Sequence, residues 1–358
     1  MGRLKIDVLR LLEEIVKTPS VSGYEENTGR KIMEIFREMG LKVDVDVMGN
    51  VIGYMEGEDP KIMITAHMDQ IGLMVNHIDE KGYIYFTQRG FDKRLLYGIK
   101  VVLHGSKGPI IGVIGAKPIH LVKTEEREKV VDIEDMAIDI GVESKSEVLE
   151  LGINIGTVIT PKLEVTPIGK GRNVAGVGLD DKAGIVAMIK AMEILMDKGV
   201  KKKIYAVATT QEELGLRGAT TAAYRINPDV AFTIDVTHAS SYNVPEKRVS
   251  GIKLGGGPAI GIGPNFHPKL SELIIEVCKE HGIPYQIETI FGPSGTDAFA
   301  IQVSRGGVAT ALLSIPLRYM HSTAEIISIT DIENTAKALA ETIIRISGEN
   351  YKNLLTKI

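Results

Sequence analysis

Lys203-Ile204-Tyr205-Ala206-Val207-Ala208-Thr209-Thr210-Gln211-Glu212-Glu213 carries an apolar run that gives way to two adjacent glutamates. Ile204 to Ala208 contains no charge and reads as a buried strand of the kind found in parallel sheets. A strand over 203–209 would deliver Glu212 and Glu213 to its carboxyl end. Successive strand residues point to opposite sides, so one carboxylate can hold a metal while its neighbour reaches a water. Taken alone, such a pair is an ordinary solvated strand end or helix start. Its neighbours in the chain decide between these readings.

Towards the N-terminus the periodicity predicts a helix over 6–16, a turn from Pro19 to Gly23 and a helix over 25–39 closed by Gly40. Alternating Leu41 to Val47 predicts a half-buried strand, Val51 to Met55 its hairpin partner, and Lys61 to Thr65 a short strand running into His67. From Ile71 to Thr160 the texture changes to short apolar runs separated by turn residues, with an exposed charged loop at Lys123 to Lys129. Beyond Asn173 the alternation resumes, with helices predicted over 182–196, 268–281 and 331–346 and strands over 203–209, 230–234 and 308–314. The expected fold is α/β with a mixed sheet, residues 1–70 and 164–358 forming one discontinuous domain and 71–163 an inserted β-rich domain.

The 358 residues are enough for one large or two smaller domains, and 44% hydrophobic with 25% charged residues is ordinary for a soluble protein. A formal net charge of -4 gives no basic footprint for nucleic acid. Lys5 to Val16 is amphipathic, neither a signal peptide nor a membrane span, and Ile6 stands where a myristoylation signal after Gly2 would need Ser or Thr. Cys278 is the only cysteine, so no intrachain disulfide can form and a cytoplasmic location is expected.

Acidic and histidine groups recur where predicted strands end or a helix begins: His67, Asp180 with Asp181, Glu212 with Glu213, Asp235, and His321. Ligand sites of open α/β sheets lie beyond the carboxyl ends of the strands, so these residues can converge. Asp69, two residues after His67, can share its face and orient its ring. Asp181 reads as a helix cap, which leaves Asp180 the better ligand candidate. Asp235 ends an apolar run where a carboxylate without a cation would be costly to bury. His321 follows no sharp strand-end signal and on its own is a surface or core histidine.

Charge balance favours two metals over one. With Asp180 bridging, Glu213 and either His67 or His321 complete one ion, and Asp235 with the other histidine completes the second. Three carboxylates and one hydroxide then offset two divalent cations. Glu212, outside the ligand set, is the general base in this arrangement. Such donors suit zinc, cobalt or manganese and do not choose among them.

Ala66-His67-Met68-Asp69-Gln70-Ile71-Gly72, Leu179-Asp180-Asp181, Gln211-Glu212-Glu213-Leu214-Gly215, Ile234-Asp235-Val236-Thr237, Gly295-Thr296-Asp297-Ala298 and Tyr319-Met320-His321-Ser322 together resemble the tetrahedral aminopeptidases, also called glutamyl or deblocking aminopeptidases. The resemblance spans nearly the whole chain. It implies a metal-dependent aminopeptidase acting on peptides, with His67 and His321 as terminal ligands, Asp180 as bridge, Glu213 and Asp235 as the other ligands, Glu212 as base and Asp69 behind His67. It further implies a cis peptide between Asp180 and Asp181, dimerisation through the inserted domain, and dimers assembling into a hollow dodecamer. This chain has Pro293-Ser294-Gly295 where the family usually has three glycines, and Ala298-Phe299 where a glycine is usual. A differently shaped pocket is therefore expected, with His238 as a second variable.

Two other functions use the same residue types. Paired carboxylates suit a metal-independent glycoside hydrolase, a label relatives of this family have carried. A full ligand set without catalysis would suit a metal-binding assembly protein. Gly255-Gly256-Gly257-Pro258 lacks the ending of a phosphate loop and reads as a turn, and His77, His104, His120, His267 and His281 have no ligand spacing.

Overall fold

Four parallel strands, Lys202–Thr209, Glu58–His67, Val230–His238 and Ala309–Arg318, lie side by side in that order. They form the centre of the computed structural model, which describes residues 5–346 and 351–355. Gly2 and the remaining terminal residues of the expected discontinuous domain lie outside the described residues. All four strands run in one direction, so their carboxyl ends come out along one edge, with His67 beside Thr209 and Asp235 beside Ser314.

The apolar runs in the middle of these strands have a direct cause in the packing. Ile62, Ile64 and Ala66 meet one apolar cluster, while the alternate residue Met63 meets another on the opposite face. The first cluster takes in helices Val8–Val16, Leu179–Asp197, Pro268–Glu280 and Ile329–Arg345. The second takes in Arg217–Ile226 and Asp297–Gln302. Helix Leu179–Asp197 is buried on almost every side, between the sheet and Ile329–Arg345, and its apolar residues are correspondingly spread around it and not confined to one stripe. Each wholly buried leucine, isoleucine or phenylalanine here contributes about 1.5–3 kcal/mol of transfer free energy.

Antiparallel strands extend the sheet on both sides, giving 11 strands of mixed direction among the described residues. Lys42–Val45 and Val51–Met55 border Lys202–Thr209, while Glu325–Ser328, Asn173–Gly176 and Val165–Ile168 follow Ala309–Arg318. Ala259–Ile262 pairs with Ala309–Arg318 and carries the edge strand Gln286–Thr289.

The expected strand at 61–65 is longer, Glu58–His67, so His67 is itself the last strand residue. The expected 230–234 and 308–314 likewise extend to Val230–His238 and Ala309–Arg318. Both continue past their apolar runs because neighbouring strands go on supplying backbone partners. Five four-residue strands and the helices Arg217–Ile226 and Asp297–Gln302 were not anticipated. The apolar face of Arg217–Ile226 is Ala219, Ala222, Ala223 and Ile226, a pattern weak beside its glycine and two threonines. Its Gly218 is required by close approach, since a Cβ there would meet the Asn50 side chain at 2.3 Å and the Thr210 backbone.

Between His67 and Val165 the chain leaves the sheet and builds a closed barrel from Gly72–Ile78, Ile84–Arg89, Ile138–Asp139, Gly108–Ile114, Lys100–Gly105 and Val158–Pro161. The barrel has its own core, including Leu73, Phe86, Leu103, Ile138 and Ile159. Cys278 is buried, and among the described residues no helix is long and apolar enough to cross a membrane.

Candidate metal centre

The carboxyl edge of the parallel strands gathers residues far apart in the chain. His67 Nε2 lies 3.0 Å from Asp180 Oδ1, and its Nδ1 lies 3.1 Å from the carbonyl of Asp69. Asp180 lies in the first turn of helix Leu179–Asp197, just after the left-handed Gly178, where the backbone departs from helical angles, and the Asp180–Asp181 peptide is cis. Asp180 Oδ2 lies 3.3 Å from His321 Nε2, which is 3.0 Å from Glu213 Oε1. Two triads result, His67 with Asp180 and Asp235, and Asp180 with Glu213 and His321, the donor atoms of each lying within 4.8 Å of one another. Asp180 belongs to both and directs one oxygen to each histidine. The partnership that the sequence left open is thereby visible: His321 stands with Glu213, and His67 with Asp235.

Asp181 Oδ1 accepts from Gly184 N at 3.0 Å, capping the helix, while its other oxygen has no hydrogen-bond partner. Glu212 joins neither triad.

The glutamates do not continue the strand, contrary to the alternation expected of them. Lys202–Thr209 stops short, Gln211 has φ 53°, and Glu212 and Glu213 occupy the turn that follows. Side chains take four consecutive amides there and so overrule the extended form. Asn50 Oδ1 accepts from Thr210 N at 3.0 Å and Glu25 Oε1 from Gln211 N at 3.1 Å. Asp69 accepts from Glu212 N at 2.9 Å and from Glu213 N at 3.2 Å. The Asp69 carboxylate, which also accepts from Ser22 Oγ at 2.6 Å, thus shapes the turn, and its Oδ1 lies 3.5 Å from His67 Nδ1. Arg89, at the end of a barrel strand, donates to the Glu213 carbonyl through Nε at 3.1 Å and Nη2 at 3.0 Å.

Glu325 carries no sequence signal, yet it ties both halves of the site together. Its buried carboxylate accepts from Leu179 N at 2.8 Å, Asp180 N at 3.4 Å and His321 N at 3.0 Å. Burial pushes its carboxyl up to about 8, with the charge of Asp180 adding to the effect and the three amides opposing it. Glu325→Ala leaves those amides without an acceptor and frees both Asp180 and His321 to move. Metal affinity is expected to fall by about 10- to 100-fold, read by competitive chelator titration. Asp297, also unassigned by sequence reasoning, is wholly buried and accepts from Thr209 Oγ1 at 2.6 Å.

The electrostatics show a site short of positive charge. Burial pushes Glu212 up to about 10, His67 opposing and Asp235, Asp297 and Glu213 adding to the effect. Burial likewise raises Asp181 and Asp235 well above the usual carboxylate range. Burial also opposes the ionised form of Asp180, but its hydrogen bonds to His321 and His67 outweigh this and hold it low. Hydrogen bonds to Asp180 and Glu213 raise His321 to about 10, and the charge of Glu212 raises His67 against burial. Two imidazoles cannot neutralise this many buried carboxylates, whereas divalent cations in the two triads would. The donors are imidazole nitrogen and carboxylate oxygen, so the residues fit borderline divalent metals.

The remaining histidines lie elsewhere. His104 bonds Thr160 Oγ1 at 2.9 Å in the barrel, His267 Nε2 lies 3.3 Å from the Leu355 carbonyl, and His77 faces the Tyr85 ring. His238 ends the Asp235 strand and is exposed. The glycine run is a turn, with Gly255 N and Gly257 N donating to Asp331 at 2.7 and 2.8 Å.

The chain is similar to known proteins along nearly its whole length. Residues 49–338 match the sequence profile of the family described as M42 glutamyl aminopeptidase. Lysyl aminopeptidase of Pyrococcus furiosus is 41% identical over 337 residues, covering 92% of this chain and 96% of that protein. Among solved structures, the TET aminopeptidase from the marine sediment archaeon Thaumarchaeota archaeon SCGC AB-539-E09 superposes with a TM-score of 0.91 at 32% identity, covering 97% of this chain and 98% of that one. The Pyrococcus horikoshii TET1 peptidase, described as assembling into a tetrahedron or a large octahedral shell, superposes with a TM-score of 0.85 at 33% identity, covering 95% and 100%.

Proposed function

The chain belongs to the M42 glutamyl aminopeptidase family, and from that premise we propose that it is a two-metal aminopeptidase in which Glu212 is the general base. The observation that carries the reading is the position of Asp180, one oxygen in each triad, with Glu212 buried beside them and outside both. His67 and Asp235 would hold one ion with Asp180, and Glu213 and His321 the other, zinc or cobalt suiting the donors. Divalent cations held there supply Lewis acidity and acidify water.

This chain's own residues do the rest. Glu212 takes the proton of the attacking water and returns it to the amine that leaves as the C–N bond breaks. Asp69 fixes the Glu212 amide, and so the direction from which its carboxylate approaches. A ligand carboxylate beside the free α-amine favours cleavage of the first peptide bond over internal ones. The substrates are then peptides with a free N-terminus.

The barrel forms a separate domain over 71–163 on this reading and provides self-association, ultimately a dodecamer. Exposed Ile111, Val113, Ile119 and Leu121 on it support such a surface. A lone buried thiol, Cys278, suits the cytoplasm.

Metal removal tests the core of the proposal. Dialysis against a chelator is expected to abolish hydrolysis of an aminoacyl-p-nitroanilide panel, and zinc or cobalt to restore it. Aminoacyl hydrolysis that survives chelation would overturn the metal-dependent reading, and chelator-resistant cleavage of a glycoside would favour a two-carboxylate glycoside hydrolase. No hydrolysis by the reconstituted protein across the panel would instead point to a metal-binding assembly protein.

A further inference from the structure

Beside the metal centre stands a carboxylate that no step of the proposed hydrolysis uses. Glu288 lies on the edge strand Gln286–Thr289, and its Oε2 accepts from Ser314 Oγ at 2.8 Å while its Oε1 accepts from Thr237 Oγ1. These two hydroxyls locate it. Ser314 is the register partner of Asp235 on the next strand, and Thr237 is two residues past Asp235, on the same face of Asp235's own strand.

Glu288 is largely buried yet still reached by solvent. Burial pushes its carboxyl up, opposed by the two hydroxyls and by His238. Among the described residues no lysine or arginine forms an ion pair with it. Neutral hydroxyls orient a carboxylate but do not cancel its charge, and a buried anion of this kind is costly until a cation arrives.

Position decides which cation fits. Glu288 bonds both Ser314, level with Asp235, and Thr237, two residues further along, so its carboxylate stands beside Asp235 and towards the end of that strand. A substrate's α-amine is joined through one carbon to the scissile carbonyl and has to stay among the metal ligands. The flexible stem of a lysine or arginine in the first position carries its charge across the remaining gap.

We propose that Glu288 determines specificity at this site by receiving the cationic side chain of an N-terminal lysine or arginine. The assignment rests on the aminopeptidase reading. Its test uses the metal-reconstituted enzyme and lysyl-, arginyl-, leucyl- and glutamyl-p-nitroanilides. Wild type is expected to favour the two basic substrates, and Glu288→Gln to lower kcat/KM for them by about 10- to 100-fold relative to the leucyl substrate. Glu288→Lys is expected to reverse the preference towards the glutamyl substrate. An unchanged basic-to-leucyl ratio in both variants, or equal losses on all four substrates, overturns the assignment while leaving the aminopeptidase reading intact. A wild-type enzyme active on neutral residues but not on basic ones does the same. Absence of any aminoacyl hydrolysis overturns both readings together.

Discussion

Replacing Glu212 by glutamine is expected to lower kcat by about 10²- to 10⁴-fold while the metal content of the protein stays at its wild-type level. The asymmetry follows from geometry. Glu212 is buried beside both triads but contributes to neither, and its amide is held by Asp69 rather than by any contact of its own carboxylate. Glutamine matches its shape and cannot take a proton. Burial and neighbouring carboxylates push Glu212 up to about 10, with His67 opposing, and divalent cations held by the two triads would act in the opposite sense and favour the ionised base. Steady-state kinetics together with elemental analysis checks both halves. Near-normal turnover would remove Glu212 from the base role, and lost metal would make it a ligand.

Asp180→Ala carries the other large effect. Because one oxygen faces each histidine, removing this side chain is expected to empty both positions and reduce hydrolysis to background. His321→Ala and Asp235→Ala each belong to a single triad and are expected to retain the ion of the other. Stability provides a second readout. Metal at about 100 times its Kd stabilises the folded state by about 2.7 kcal/mol, so added zinc raises the Tm of metal-stripped wild type and leaves that of Asp180→Ala unmoved. Equal metal content in the three variants would show that the ions are not held through Asp180.

Glu212, Glu213, Asp235 and His67 could be picked out from the chain because each follows an apolar run whose end marks the carboxyl edge of a sheet. Asp180 followed from the start of a buried helix. His321 had no such local mark: its place comes from two left-handed residues, Tyr319 and His321, and from the Glu325 carboxylate that accepts its amide. Glu25, Asn50 and Arg89 were illegible for the same reason, since each acts on the site from another element through a hydrogen bond across the fold. Glu288 has no local mark either, since Thr237 and Ser314 hold it from other strands.

Hydrophobic periodicity is a property of neighbouring residues, so the sequence by itself determined the parallel strands, the buried helix behind them, the change to a β-rich segment and the family. It could not determine the shape of the turn from Thr210 to Glu213, because that turn is imposed by side chains of Asn50, Glu25 and Asp69 on four amides. Nor could it pair His321 with Glu213 and His67 with Asp235. Those choices depend on strand order and on where each chain segment leaves the sheet, and only the tertiary structure settles them.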